Sequence, residues 1–353
     1  TVYGPWGRPD MAAMIFIRPV DISDLGPLSA LADQTLFGLT TLPRDRELLR
    51  ERIHESRRSF ESNTKKPRGE TYLFVMEDRR TGRVVGTSGI DAKVGGFEPF
   101  YAYQIETTMH ESKVLNIRKE IRMLHLLQEH SGPSEIGSLF LSPEYRQRGN
   151  GRLLSLFRFI FMAEFRERFE SQVIAEMRGG VDENGGSPFW EALGRHFFDV
   201  DFPRANYLSM KDKRFIAELM PIHPIYIDLL PEEAQAVIGE VHPNTRPALR
   251  MLQKEGFQFS GMVDIFEGGP IMSSPLENIR TVRERARTTV TEITNEDVPS
   301  DELLLTNADP DFRACVGSIA FVPDGGARIN KTTAEALLLK AGDEMCFSPL
   351  RAR

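Results

Sequence analysis

The chain is predicted to be an α/β protein built on a mixed sheet, with a small β-rich appendage at its C-terminal end. Three observations predict this. Short apolar runs such as Tyr72-Leu73-Phe74-Val75-Met76 read as strands. Longer segments place apolar residues at helical spacing, as Leu153, Leu154, Phe157, Phe161 and Phe165 do. The two kinds of segment alternate along most of the sequence, the order expected when helices pack on a sheet.

Ile15-Phe16-Ile17-Arg18 is the first strand. A helix follows over 21–32, with Asp21 or Ser23 as its cap. A charged helix over 44–58 carries Leu48, Leu49 and Ile53 on one face. The stretch 61–69 is rich in Ser, Asn, Lys, Pro and Gly and reads as a loop. Strands at 72–78 and 84–90 flank a turn at 79–82 and form a hairpin. More strand signal lies at 100–108 and 112–117. Residues 135–141 form a central strand, 151–169 a long apolar helix and 173–177 the next strand. Ser187-Pro188-Phe189-Trp190 opens a helix with proline in its first turn. Strands are read at 216–220 and 237–242, and a short helix at 232–237. A helix at 243–255 ends at Gly256, and a strand follows at 257–266. Two segments, 173–202 and 237–266, share the order strand, helix, glycine, aromatic strand. Ile174-Ala175-Glu176-Met177 also echoes Ile216-Ala217-Glu218-Leu219, which points to a partial duplication. Residues 279–300 are charged and Thr-rich and read as helix plus linker. Strands at 303–305 and 312–321 and a helix at 332–339 make up the appendage.

Composition narrows the function. With 44 Lys and Arg against 51 Asp and Glu, the net charge of −7 argues against non-specific nucleic-acid binding. The two cysteines, Cys315 and Cys346, cannot build a disulfide framework, and no His-x-x-x-His pair occurs, so no metal site is expected. No apolar run approaches the roughly 18 residues of a spanning helix, and no signal-peptide pattern opens the chain. The expected location is the cytoplasm. Residues 1–13 are expected to be a disordered extension.

The most informative stretch is Leu139-Phe140-Leu141-Ser142-Pro143-Glu144-Tyr145-Arg146-Gln147-Arg148-Gly149-Asn150-Gly151. A strand runs into an Arg-x-x-Gly-x-Gly turn that feeds a helix N-terminus. Such a turn is an anion cradle, because glycines admit a ligand close to the backbone while free amides and the helix dipole face its phosphates. An ordinary strand-to-helix connection has the same outline. An NTPase phosphate loop needs Lys-Ser/Thr after the last glycine, which is missing here. A dinucleotide-binding turn needs Gly-x-Gly-x-x-Gly near the first strand of its unit. The loop resembles instead the acyl-CoA pyrophosphate loop of the GNAT acyltransferase superfamily.

A closer resemblance runs from about residue 17 to 279. Its segments include Leu39-Thr40-Thr41-Leu42-Pro43, Pro99-Phe100-Tyr101-x-Tyr103, Ala175-Glu176-Met177-Arg178-Gly179 with Asp182-Glu183, and Ser187-Pro188-Phe189-Trp190. Further on come Val237-Ile238-Gly239-x-Val241-His242-Pro243 and Val263-Asp264-Ile265-Phe266-x-Gly268-Gly269-Pro270. In these the chain resembles the arginine N-succinyltransferase family, with the tail from 301 only loosely similar. The resemblance implies a GNAT-like fold, partly duplicated. It implies an acyl-CoA-binding domain at 14–200, a second half at 201–280 carrying a catalytic histidine, a linker at 281–300 and the appendage at 301–353. It implies succinyl transfer from succinyl-CoA to the α-amino group of L-arginine, the first step of a route to glutamate and succinate. Succinyl-CoA is then a co-substrate, with no permanently bound cofactor.

The family's proton donor falls on His242 and its succinyl-CoA contact on Leu139. Arg146, Gln147, Arg148, Gly149, Asn150 and Gly151 should hold the pyrophosphate. A histidine with an ordinary pKa near 6.5 serves proton transfer around neutrality, either as donor or as shuttle. A guanidinium substrate needs a carboxylate, for which Glu106, Glu176, Asp182 and Glu183 are candidates. Its own carboxylate needs a donor such as Arg178. Ornithine is the alternative acceptor, since Met109-His110-Glu111-Ser112, His125 and Gln128-Glu129-His130-Ser131-Gly132 depart from the family pattern. Other readings are a different GNAT acyltransferase or a non-catalytic partner subunit. The expected assembly is a homo-oligomer or a heteromer with a related subunit, with no nucleic acid or membrane partner.

Overall fold

The computed structural model describes residues 14–35, 42–181, 185–309, 311–323 and 325–351. The extension expected at 1–13 lies outside them.

Strand β1 (Ile15–Pro19) leads into α1 (Leu25–Ala32) and α2 (Arg46–Glu61), whose N-terminus is capped by the Asp45 carboxylate. Strands β2 (Thr71–Asp78) and β3 (Arg83–Asp91) form the predicted hairpin. Next come β4 (Phe100–Ser112), β5 (Ile117–Glu129), β6 (Ser134–Leu141), α3 (Asn150–Glu164) and β7 (Gln172–Glu176). Four short helices follow: α4 (Pro188–Ala192), α5 (Gly194–Phe198), α6 (Phe202–Ser209) and α7 (Arg214–Leu219). Beyond them lie β8 (Ile225–Tyr226), α8 (Glu232–Val237), α9 (Arg246–Glu255), β9 (Gln258–Val263), β10 (Pro270–Pro275) and α10 (Arg280–Arg283). The C-terminal part holds β11 (Ala286–Thr294), β12 (Leu303–Asn307), β13 (Ala314–Gly317), β14 (Ala320–Phe321), β15 (Ala327–Asn330), α11 (Lys331–Leu337) and β16 (Glu344–Pro349). This is the mixed α/β class that the alternation of strand and helix signals predicts.

The chain packs as two compact units. The first takes the residues up to Ala92, Ile136–Ser171 and Pro275–Arg353. Its strand order is β14-β15-β11-β16-β12-β13-β1-β2-β3-β6. Strand β1 is central, antiparallel to β13 through Phe16↔Cys315 and to β2 through Ile17↔Met76. Aromatic rings seat α3 on this sheet. Phe74 meets Phe157 edge-on at 4.7 Å, and Phe161 meets Phe312 at 5.0 Å. Both cysteines are buried here with free thiols that burial pushes up to about 12, so neither is reactive.

The second unit takes Lys93–Glu135 and Gln172–Ser274. Its strand order is β7-β10-β9-β4-β5-β8. The first residues of β6 join β7 in a parallel ladder through Ser134↔Val173 and Glu135↔Ile174. The core is aromatic. Trp190 stacks on Phe198 at 5.3 Å and on Phe266 at 5.4 Å, while its indole N–H donates to the Val200 carbonyl at 2.9 Å. Gly194 is required beside it, because a Cβ there would come within 2.3 Å of the indole.

Several elements differ from the sequence reading. Strand signal at 100–108 and 112–117 belongs to one long hairpin, in which β4 and β5 pair from Phe100↔Glu129 to Ser112↔Ile117. The segment 216–220, read as a strand, lies in helix α7 and its cap. Ile216 and Met220 are buried four residues apart while Leu219 is exposed, a one-sided burial that suits a helix. Residues 237–242 are not a strand. Helix α8 ends at Val237, and Gly239 reverses the chain at φ 77°. The echo between 174–177 and 216–219 therefore joins a strand to a helix and marks no structural repeat. Residues 286–294, read as helix or linker, form β11, for which the run Thr288-Thr289-Val290-Thr291 is well suited.

Arg158 ties α3 to β6 without a carboxylate partner. It is fully buried, and it donates to the carbonyl of Ser155 at 3.0 Å, the carbonyl of Gly137 at 3.2 Å and the Ser155 hydroxyl at 3.0 Å. Arg158→Ala removes these bonds and leaves a cavity. A loss of about 3 kcal/mol is expected in urea unfolding, and a loss below about 1 kcal/mol would contradict this role.

Candidate functional site

In the first unit, β6 bends just before the glycine loop. Ser138 lies at φ 53°, a left-handed conformation rare inside a strand, and strand irregularities of this kind cluster beside functional sites. Two glycines of β3 admit the bend. A Cβ on Gly86 would come within 2.9 Å of the Phe140 carbonyl, and one on Gly89 within 2.8 Å of the Ser138 hydroxyl. Leu139, next to the bend, is half-buried.

The loop is shaped from within. Arg146 Nε donates to the Leu141 carbonyl at 2.9 Å, and its guanidinium lies 5.8 Å from the centre of the Phe140 ring. Gln147 Nε2 donates to the Glu144 carbonyl at 3.2 Å, and Asn150 Nδ2 to the Tyr145 carbonyl at 3.0 Å. Arg146, Gln147 and Asn150 therefore brace the turn, and the predicted role of Arg146 as a charge beside it becomes partly structural. Arg148 is exposed, at φ 53°, and makes no side-chain hydrogen bond or ion pair among the described residues. Gly149, at φ 81°, is the N-cap of α3, and no side chain caps that end. The Asn150 N–H donates to the Gln147 carbonyl at 3.1 Å, while the Gly151 and Arg152 amides make no such bond to the loop among the described residues and keep their donors for a ligand. A Cβ at Gly151 would meet nothing within 4 Å. The protein's own packing does not require glycine there, whereas a ligand against the backbone would.

In the second unit, His242 caps a short 3-10 turn at Pro243–Thr245. It follows an extended segment, not the strand read from sequence. Its Nδ1 accepts the Asn244 N–H at 3.2 Å, so the neutral ring carries its proton on Nε2. Its backbone N–H donates to the Arg178 carbonyl at 2.8 Å. Partial burial, then the Arg178 charge, lowers the imidazole pKa below its ordinary value.

Around Arg178 lies a group of acids. Glu267 accepts the Gly179 N–H at 2.8 Å and faces Arg178 Nε at 3.7 Å. Asp264 accepts the N–H groups of Phe266 and Glu267. Burial and the Asp264 charge push Glu267 up to about 7, against Arg178 and the Gly179 N–H. Glu176 is crowded by protein on several sides, yet its side chain stays open to solvent at the end of β7. That crowding, then the charges of Glu135 and Asp264, pushes its pKa well up, with Lys213 opposing. Glu176 accepts no hydrogen bond and forms no ion pair among the described residues.

Of the predicted substrate residues, Arg178 meets His242 through its carbonyl, and Glu176 shares with Arg178 the neighbouring charge of Glu267. Glu106 sits on the β4–β5 hairpin, 3.1 Å from His125 Nε2 in a contact too poorly aligned for a hydrogen bond. Asp182 and Glu183 lie outside the described residues. Sequence reasoning missed Glu267 and Asp264. The pair Gly268-Gly269 beside them was the available signal, because a Cβ on Gly269 would come within 2.1 Å of the Met177 carbonyl. No group of His, Cys, Asp and Glu suited to a metal occurs among the described residues. No described helix is long and apolar enough to cross a membrane.

A family model described as arginine N-succinyltransferase beta subunit matches residues 15–281, and one for the C-terminal domain of that subunit matches 286–349. The tail, only loosely similar when read by eye, is thus covered by a model of its own. Arginine N-succinyltransferase of Yersinia pestis (strain Pestoides F) is 44% identical over 340 residues, covering 94% of this chain and 97% of that protein. The enzyme of the same name from Enterobacter sp. (strain 638) is 48% identical over 280 residues, covering 79% and 81%. The solved structure of arginine/ornithine succinyltransferase subunit AI from Pseudomonas aeruginosa matches with a TM-score of 0.86 at 34% identity, covering 96% of this chain and 99% of that one.

The two loop glycines should separate folding from binding. Gly149→Ala forces an L-residue into the left-handed region and is expected to cost about 1–2 kcal/mol in thermal unfolding. Gly151→Ala is expected to leave the melting temperature unchanged or slightly raised, yet to weaken coenzyme A binding in calorimetry by about tenfold or more. Unchanged binding by Gly151→Ala would remove this loop from the ligand site.

Proposed function

The chain belongs to the arginine N-succinyltransferase family, and on that premise we propose that it joins the succinyl group of succinyl-CoA to the α-amino nitrogen of L-arginine. The products are CoA and N2-succinyl-L-arginine. One observation above all carries this reading: a single family match, over 15–281, spans Leu139, the loop at 146–151 and His242 together.

The loop and the uncapped start of α3 hold the pyrophosphate of the co-substrate through backbone amides, with Arg148 as the mobile cation. The edge of β6 around Leu139 offers N–H and C=O groups to the amide-bearing arm of CoA, in the manner of an added strand. This explains why an apolar residue marks a cofactor contact. Glu176 takes the guanidinium. A carboxylate that accepts no hydrogen bond and forms no ion pair among the described residues can form a charge-assisted, two-point bond to that planar cation.

In the reaction, the neutral amine attacks the thioester carbonyl, the C–N bond forms and the C–S bond breaks. The nitrogen loses one proton and the sulfur gains one. His242 serves the sulfur through Nε2–H, and the excess proton of the amine restores that nitrogen. The Asn244 N–H on Nδ1 and the Arg178 charge both favour the neutral ring, so His242 works as a proton-passing group and not as a standing cation.

The direct test is CoA thiol release by the purified chain with succinyl-CoA and L-arginine, L-ornithine or no acceptor. Arginine-dependent release is expected, falling about 10²–10⁴-fold in His242→Ala. Release indifferent to arginine would refute the substrate, and release unchanged in the variant would remove His242. Glu176→Gln is expected to raise the arginine KM by about tenfold or more with little change in the succinyl-CoA KM. An unchanged arginine KM would exclude this carboxylate from guanidinium binding. The His242 ring, followed by NMR, should titrate below the ordinary value of about 6.5. It stays neutral as pH falls through that value and gains its proton only below it. A midpoint at or above 6.5 would contradict the geometry at Nδ1.

A further inference from the structure

We propose that Glu267 is a positioning residue for His242, acting through the single peptide group that joins Arg178 to Gly179. The two ends of that group are held by different partners. Its N–H is accepted by Glu267 Oε2 at 2.8 Å, and its carbonyl accepts the His242 N–H at 2.8 Å. The peptide is planar and rigid, so fixing one end fixes the other. Hydrogen bonds at both ends of one amide also polarise each other. Glu267 thereby sets where the backbone of His242 sits, although the two residues share no direct contact.

The surrounding backbone shows how little freedom the arrangement has. A Cβ on Gly179 would come within 2.5 Å of the Glu267 carbonyl. Met177 N–H donates to the Pro270 carbonyl at 3.0 Å, and Gly239 N–H to the Gly268 carbonyl at 2.8 Å. The segment before His242 is thus tied to Gly268, and the stretch after Glu267 is tied in turn to Met177. The Glu267 carboxylate has a second task. It faces the Arg178 guanidinium, the same charge that disfavours protonation of His242. The other charged groups acting on this patch are Asp264 on Glu267, and Glu135, Asp264, Lys213 and Glu267 on Glu176.

The inference rests on His242 being the catalytic group, and the test separates the two claims. Glu267→Gln keeps an amide oxygen for the Gly179 N–H but removes the charge opposite Arg178. Glu267→Ala removes both. In Glu267→Gln the His242 titration midpoint, read by NMR, is expected to fall below that of the parent, because Glu267 no longer offsets the Arg178 charge. The Glu267→Ala variant is expected to lose about tenfold to a hundredfold in kcat, with Glu267→Gln between it and the parent. The arginine KM should stay within about twofold in both. In a His242→Gln background, neither change should lower kcat further. A rise in arginine KM with kcat unchanged would make Glu267 a substrate contact and overturn the proposal. So would an unmoved His242 midpoint, or an additive loss in the His242→Gln background. If His242→Gln alone leaves turnover intact, the reading of His242 fails instead, whatever the Glu267 variants do. Circular dichroism melts on each variant exclude simple unfolding. Glu267→Gln should melt no lower than the parent at pH 8, where the buried carboxylate is charged and costly to hold.

Discussion

The second unit depends on two backbones lying too close for side chains. The stretch 177–179 runs against 267–269, and neither Gly179 nor Gly269 has room for a Cβ. Close backbone contact is the condition for what gathers there. It lets Glu267 reach the Gly179 N–H, lets the Arg178 carbonyl receive His242, and leaves Glu176, at the end of β7, facing solvent. Larger residues at either glycine would push the segments apart and break these bonds together. The position of the His242 backbone therefore depends on this close approach.

The first unit solves a different problem with the same residue type. At Gly149 the left-handed backbone turns the chain into α3, and at Gly151 the absent side chain leaves space beside the helix amides. One glycine is needed by the fold, and the other is not needed by the packing around it. The bracing bonds of the Arg146, Gln147 and Asn150 side chains hold the turn open without using the amides of Gly151 and Arg152. An anion met by fixed dipoles in this way needs little rearrangement on binding.

Much of this was legible in the sequence, and the reason differs from part to part. The strand, turn and helix at 139–154 announce themselves, because an apolar run, two glycines and an apolar helix face are local signals. Capped helix starts such as Ser187-Pro188 are local too, and the Ser187 hydroxyl does accept the Trp190 N–H at 3.1 Å. Helix α7 was misread because Phe215-Ile216-Ala217-Glu218-Leu219 is apolar enough for either element, and only its one-sided burial decides. The bend at Ser138 is invisible locally, since nothing about serine asks for φ 53°; it follows from the space left by Gly86 and Gly89 some fifty residues earlier. Glu267 was missed for the same reason. Its partner Gly179 is 88 residues away in sequence, and an acid beside a glycine pair is an ordinary surface feature until the fold brings 178–179 to it.

The charges in the second unit answer a difficulty in the reaction itself. Arginine carries two basic groups, and only one must lose its proton before attack. A guanidinium stays charged under any ordinary condition, so carboxylates around Glu176 can bind it without affecting nucleophilicity. The α-amine is different, because a neighbouring acid would hold it as an unreactive ammonium. At His242 the charge that shifts the ring is instead the Arg178 guanidinium, which lowers the imidazole pKa and would act in the same direction on an amine brought beside it. Under the roles proposed for Glu176 and His242, acids at the binding end and a cation at the reacting end separate recognition from activation. Glu267 stands at the junction, since it tempers Arg178 by ion pairing while its own charge is reduced by burial near neutrality. A carboxyl pushed up to about 7 offsets Arg178 only in part at neutral pH, and so leaves that cation with an effect on its surroundings.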